Sequence, residues 1–228
     1  MFYFRPASER GISRFSWLKT HHSFSFGHYY NPDHLGFSAL KVINDDKVAP
    51  GAGFEQHGHR NMEIISYILE GAIEHKDTLG NHFVVPAGDV QRMTAGTGIM
   101  HSEFNHSTSE PLRFLQIWIM PNEQNLPPGY EQKSIDQTSP LTPIVTPSGR
   151  EGSLSIHQDA SIYRLQLEAD EYWHLASKER PTYLHVIDGS AGSSEYELEK
   201  GDGLGLCNES LMIKAKGQGL VALWFDLN

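Results

Sequence analysis

The sequence predicts an all-β fold, a sandwich or barrel of antiparallel strands with few short helices, and three observations carry that expectation. Short apolar runs rich in β-branched and aromatic residues recur along the 228-residue chain and close at Gly, Pro, Asn or Asp. Few segments hold the 3.6-residue apolar period of a helix. A short pattern also repeats: Ile68-Leu69-Glu70-Gly71 is echoed by Val186-Ile187-Asp188-Gly189, and Val85-Pro86-Ala87-Gly88-Asp89 by Leu198-Glu199-Lys200-Gly201-Asp202. Each copy is an apolar strand running into a tight turn, so the chain reads as two copies of one β unit.

In chain order, strands are expected over 37–44, 63–69, 82–85, 113–120, 161–167, 182–187 and 220–227, each an apolar run bounded by turn residues. Helix is expected only near 8–17 and near 209–214. The stretch 121–152 is rich in Pro, Ser, Thr, Gln and Gly and reads as a loop-rich connector. The resulting division is an N-terminal domain over 1–125, a linker over 126–152 and a C-terminal domain over 153–228. The acidic run Glu195, Glu197, Glu199 alternates in strand fashion and reads as an exposed edge, where charge discourages edge-to-edge pairing.

Composition narrows the function classes. A net charge of −10 argues against a sequence-independent grip on nucleic acid, which needs Lys and Arg on phosphates. The apolar runs fall well short of the ~20 residues that span a bilayer, and the N-terminal residues do not read as a signal peptide. The single cysteine, Cys207, excludes an internal disulfide; with these features a cytoplasmic location is expected. Histidine is distributed unevenly: 10 of the 13 lie in residues 1–114. Imidazole is the commonest side-chain metal ligand and the usual base near neutral pH, so chemistry is expected in the first half.

Two short segments concentrate that chemistry. In Gly51-Ala-Gly-Phe-Glu-Gln-His57-Gly58-His59, the two histidines stand at i and i+2 and project from one face of a strand. In Gly96-Thr-Gly-Ile-Met-His101-Ser-Glu103, a histidine and a carboxylate have the same spacing. Together they offer three imidazoles and one carboxylate, a donor set that suits several first-row divalent ions. His75, His82 and His106 read as solvated strand ends.

These residues resemble the cupin superfamily. Gly51, His57, His59 and Glu63 follow the first cupin motif, G-x5-H-x-H-x(3,4)-E-x6-G, with Gly71 one residue late. Gly80, Pro86, Gly88, His101 and Asn105 follow the second, except that 12 residues separate Gly88 from His101. That longer spacing, the 86–103 stretch, and the segments 17–32 and 36–45 are similar to pirins, closest to the short bacterial pirin-like proteins with quercetin 2,3-dioxygenase activity. The likeness is dense over about residues 1–125.

The resemblance implies a bicupin, two stacked antiparallel barrels of jelly-roll type, with one metal in the N-terminal barrel. Its ligands fall on His57, His59, His101 and Glu103, and the ion is usually iron, here iron(II), with Zn, Mn, Ni, Co or Cu also accepted. Glu63 is then either a hydrogen-bond partner behind the ligands or an ordinary barrel residue. The activity implied is cleavage of a flavonol such as quercetin with O2, with Glu103 as candidate base; Phe24, Phe26, Phe54 and Met120 are either pocket lining or core, and His21 or His22 either closes the pocket or is a satisfied polar residue. Other members imply a redox-sensitive iron-binding regulatory module, and other cupins imply an enzyme for another phenol. No direct nucleic-acid or membrane partner is expected, and a monomer is the default.

Overall fold

The computed structural model describes residues 1–228, almost all of them in antiparallel strands and the loops between them. The chain divides into two compact units. One comprises residues 11–135 with 154–158; the other comprises 1–10, 136–153 and 159–228.

In the first unit, a seven-stranded sheet runs in the order Gly129–Lys133, Val90–Thr94, Glu63–Glu70, Leu112–Ile119, Leu40–Val48, Leu18–His22, Gly11–Arg14. A four-stranded sheet runs Gly53–His59, Ile99–Asn105, Ala72–Asp77, His82–Pro86. The Ile99–Asn105 strand shows why these residues form a half-buried strand. Ile99, His101, Glu103 and Asn105 are buried while Met100 is exposed and Ser102 and Phe104 are half-buried, a period of two. Leu18, Val48, Ile68, Leu112 and Phe114 of the larger sheet meet Ile73 and Val85 of the smaller in one apolar cluster.

The second unit is built on two long strands, Thr182–Gly192 and Ser210–Asp226, which pair along their length. The register shifts at Val186/Asp188 and at Gly189/Ser190, and such irregularities bend and twist a strand pair. Ser161–Leu167 and Gly203–Leu206 extend this sheet on either side, and Phe2–Arg5 adds to Gly203–Leu206. Its core is aliphatic, with Leu184, Val186, Leu204, Leu211, Ile213 and Leu220 buried together.

Fold class and most strands agree with the sequence; four details differ. The sheets are open and packed in jelly-roll fashion, not closed barrels, because their edge strands do not pair with each other. No α-helix forms. Residues 210–214 belong to the Ser210–Asp226 strand, where Leu211, Ile213 and Ala215 are buried while Met212 is exposed, so alternation overrides the helix propensity of Leu, Met and Lys. Over 8–17, a single 3-10 turn at Ala7–Glu9 gives way to the strand Gly11–Arg14. The span 126–152 is not all loop, since Gly129–Lys133 and Leu141–Thr146 find partner strands. Residues 1–10 group with the second unit, through the pairing of Phe2–Arg5. No helix is long and apolar enough to cross a membrane.

Candidate metal centre

His57 and His101 sit directly opposite each other on the paired strands Gly53–His59 and Ile99–Asn105. The ring centroids of His57, His59 and His101 lie 4.7 Å (57–59), 4.5 Å (57–101) and 4.9 Å (59–101) apart. One ligating nitrogen from each falls within 4.8 Å of the others. A tetrahedral ion with metal–nitrogen bonds of about 2.1 Å needs these atoms roughly 3.4 Å apart, so a small contraction would satisfy it.

The hydrogen bonding leaves lone pairs free. His57 Nδ1–H donates to the backbone carbonyl of Glu55 at 2.8 Å, which leaves Nε2 as the lone-pair nitrogen. His59 Nε2 and both ring nitrogens of His101 are buried without a hydrogen-bond partner. Burial, reinforced by the neighbouring histidines, lowers His59 to about 4 and His101 to about 3. Both imidazoles are therefore neutral at pH 7, the form that binds metal.

Glu103 points between the sheets and is 3% exposed. Its Oε1 accepts from Ser66 Oγ (3.1 Å) and Gln91 Nε2 (2.8 Å), and its Oε2 accepts from Gln116 Nε2 (2.9 Å). Tyr130 donates to Gln91 Oε1 and so braces one of these donors. Glu103 groups with His101 and His75, whose donor atoms lie within 4.8 Å of one another, so His101 is common to both clusters.

Glu63 lies elsewhere. It is fully buried, accepts from Thr94 Oγ1 at 3.1 Å, and neighbours His157 at 3.3 Å and Arg92 at 4.0 Å; burial is the main effect and raises its pKa. His22 is a satisfied buried polar residue, bonded to Asn44 Oδ1 and Ser13 Oγ. Phe24 is core and Met120 is exposed. Phe54 stands 6.4 Å from His57, and Phe26 stands edge-on to Trp118, which is itself edge-on to His59 at 5.1 Å. Beside His57 opens a groove of about 630 Å³ lined by Trp17, Phe54, Phe104 and the glycine-rich segment 51–53.

His82 and His106 are exposed and approach Glu74, as strand ends should. His75 is not: it is completely buried. Its strand pairs with Ile99–Asn105 so that His75 faces Glu103 and Asp77 faces His101. Sequence spacing alone gives no hint of that pairing, and Trp118, Gln91 and Gln116 were invisible for the same reason.

The chain matches the family model described as Pirin over residues 4–119 and that described as Quercetinase C-terminal cupin domain over residues 143–227. It is 44% identical over 229 residues to a protein of Escherichia coli K12 named quercetin 2,3-dioxygenase, covering 100% of this chain and 99% of the relative. The crystal structure of the bacterial pirin YhhW from Escherichia coli in complex with nickel(II) superposes with a TM-score of 0.94 at 43% identity, over 100% of this chain and 99% of that one. A quercetin 2,3-dioxygenase from Acinetobacter baumannii shares the fold at 19% identity, with a TM-score of 0.79 over 99% of this chain and 79% of that one. Two domain matches in sequence, full-length similarity and the two-unit β architecture together place this chain in the pirin family of the cupin superfamily.

Proposed function

We propose that this protein is a metal-dependent dioxygenase that cleaves a flavonol such as quercetin with O2. The observation that carries the reading is the set of desolvated lone pairs at His59 and His101, next to the free Nε2 of His57. Burying such nitrogens with no donor to meet them costs free energy, which a bound ion would return. His57, His59 and His101 would hold the ion and Glu103 would complete the set. Three imidazoles and a carboxylate suit iron(II) and also nickel(II), the ion named in the related YhhW structure. When bound, a divalent ion acidifies a coordinated phenol and supplies the oxidation chemistry with O2.

The remaining work falls to the chain itself. The groove beside His57 offers the faces of Trp17, Phe54 and Phe104 to a planar ring system. Those rings give the groove an apolar wall for the substrate to lie against. Ser66, Gln91 and Gln116 fix the Glu103 carboxylate in one orientation. Oε2 accepts only from Gln116 among these donors and so keeps one lone pair, which Glu103 would offer to the ion and, when not ligating, to the 3-hydroxyl proton. The overall change adds both atoms of O2 to the flavonol and releases one carbon as carbon monoxide, leaving a depside; no external reductant is needed.

The test is quercetin decay by absorbance together with detection of carbon monoxide. Purified protein is compared before and after chelation, and after adding back iron(II) or nickel(II) separately. Turnover that chelation abolishes and a metal restores supports the reading. A metal-loaded protein that leaves quercetin intact contradicts the flavonol assignment.

A further inference from the structure

His101 poses a tautomer problem. A neutral imidazole has one lone-pair nitrogen and one N–H. If the lone pair serves an ion, the N–H needs an acceptor, because ligating histidines donate their other ring N–H to a fixed partner. Both nitrogens of His101 are buried and neither has a hydrogen-bond partner. Glu103 Oε1 is filled by Ser66 and Gln91, and the one lone pair left on Oε2 beside Gln116 is committed to the ion or the substrate proton.

His75 supplies what is missing. It is fully buried, its ring centroid lies 5.4 Å from that of His101, and its Nδ1 is buried without a partner. Its orientation is fixed on two sides, by Tyr130 and by Asp77. Tyr130 stacks on it at 4.4 Å, Phe83 stacks on Tyr130 at 5.4 Å, and His75 Nε2 lies 3.1 Å from Asp77 Oδ2. Asp77 is itself held by Asn81 Nδ2 and by the backbone N–H groups of Leu79 and Asn81. Three N–H donors besides His75 thus converge on this carboxylate, which accepts from each of them. An ionised carboxylate only accepts, so Nε2 of His75 carries the proton and Nδ1 keeps its lone pair.

We infer that Asp77 and His75 form an orienting relay for His101, with Asp77 accepting from His75 Nε2–H and His75 Nδ1 accepting the His101 N–H that faces away from the ion. The inference rests on the metal reading of His101. One ring nitrogen of each histidine lies within 4.8 Å of the other, with the ring centroids 5.4 Å apart, so the two imidazoles are direct neighbours in the interior. His75 is thus a positioning residue. It sets which nitrogen of His101 is offered to the ion and raises its basicity.

The test is nickel(II) binding to chelator-treated full-length protein by titration calorimetry, with 15N NMR of the histidine rings in the wild type. His75→Phe keeps the stack on Tyr130 but removes the acceptor. Asp77→Asn offers an amide N–H to Nε2, drives the proton to Nδ1 and sets donor against donor at His101. Each is expected to weaken nickel(II) binding about 10–100-fold, with the exposed His82→Phe as an unchanged control. The NMR is expected to show His75 protonated at Nε2 only. Variants that fold, judged by melting, and bind nickel(II) within twofold of wild type overturn the relay, as does a wild-type His75 protonated at Nδ1. If either variant fails to fold, the other and the wild-type NMR still decide. A wild type that binds no nickel(II) contradicts the metal reading instead, while the tautomer measurement remains independent of it.

Discussion

His101 is the direct cross-strand partner of His57, and their ring centroids lie 4.5 Å apart. Beyond this pair the register slips, so that Glu103 faces Phe54 instead of Glu55. The slip puts one extra residue in the Gly53–His59 strand, a bulge that re-aims neighbouring side chains, as is common beside functional sites. The site is therefore built from strand pairing more than from local sequence, and several consequences can be measured.

Gly53 and Gly58 occupy the same strand but tolerate a side chain differently. A Cβ on Gly53 would lie 2.4 Å from the Glu103 carbonyl oxygen and from the Phe104 Cα, so the strand pair must move. A Cβ on Gly58 would meet nothing closer than Met100 Cγ at 3.8 Å. Gly53→Ala is expected to cost about 1–3 kcal/mol and to weaken metal binding. Gly58→Ala is expected to stay within about 0.5 kcal/mol of wild type. Chemical denaturation of both variants checks the contrast.

The histidine cluster gives the chelated protein a defined acid sensitivity. His59 and His101 fall to about 4 and about 3 in the folded chain, against 6.5 for the unperturbed group. Between these values the unfolded chain binds protons that the folded chain refuses, so this contribution lowers stability as pH falls from about 6.5 toward 3. Replacing His101 with Phe is expected to flatten that part of the curve. Melting temperature against pH, wild type beside variant, reads it.

Asp46 works in the opposite sense. Burial raises it from 3.8 to about 7, with Asp45 and Glu103 adding to the effect and the neighbouring Thr20 opposing it. The folded chain keeps a proton there that the unfolded chain loses, so stability falls as pH rises from 3.8 through about 7. At about 1.4 kcal/mol per factor of ten, the whole effect is at most roughly 4 kcal/mol. Asp46→Asn is expected to gain stability relative to wild type as pH is raised from 4 to 8, whatever its offset at any one pH. Equal offsets at both ends would contradict the assignment.

Trp17 lines the groove beside His57 and meets Phe54 edge-on at 5.1 Å, without touching the histidine triad. Trp17→Ala is expected to raise KM for quercetin severalfold while kcat stays within about twofold, since uniform binding is what it removes. Steady-state kinetics separate the two parameters.

The alternation that makes a strand was legible wherever its two faces differ. His57, His59, His101 and Glu103 stood out for that reason, because i, i+2 spacing fixes a common face before any tertiary structure is known. Residues 210–214 also alternate, yet Leu, Met and Lys favour helix; the 17-residue strand Ser210–Asp226 follows the alternation and not the propensity. What could not be read was register. Nothing local to His75 distinguishes it from His82, but pairing sets His75 opposite Glu103 in the interior and leaves His82 outside. The grouping of residues 1–10 with the far end of the chain is a pairing of the same kind, between Phe2–Arg5 and Gly203–Leu206.

The most direct test of the central claim is metal content by mass spectrometry on the wild type and on His101→Ala, with quercetin decay followed in the same samples. One equivalent of divalent metal is expected in the wild type, with metal and turnover lost together in the variant. A variant that keeps both its metal and its activity, or a wild type that takes up no metal after anaerobic reconstitution with iron(II), would contradict it.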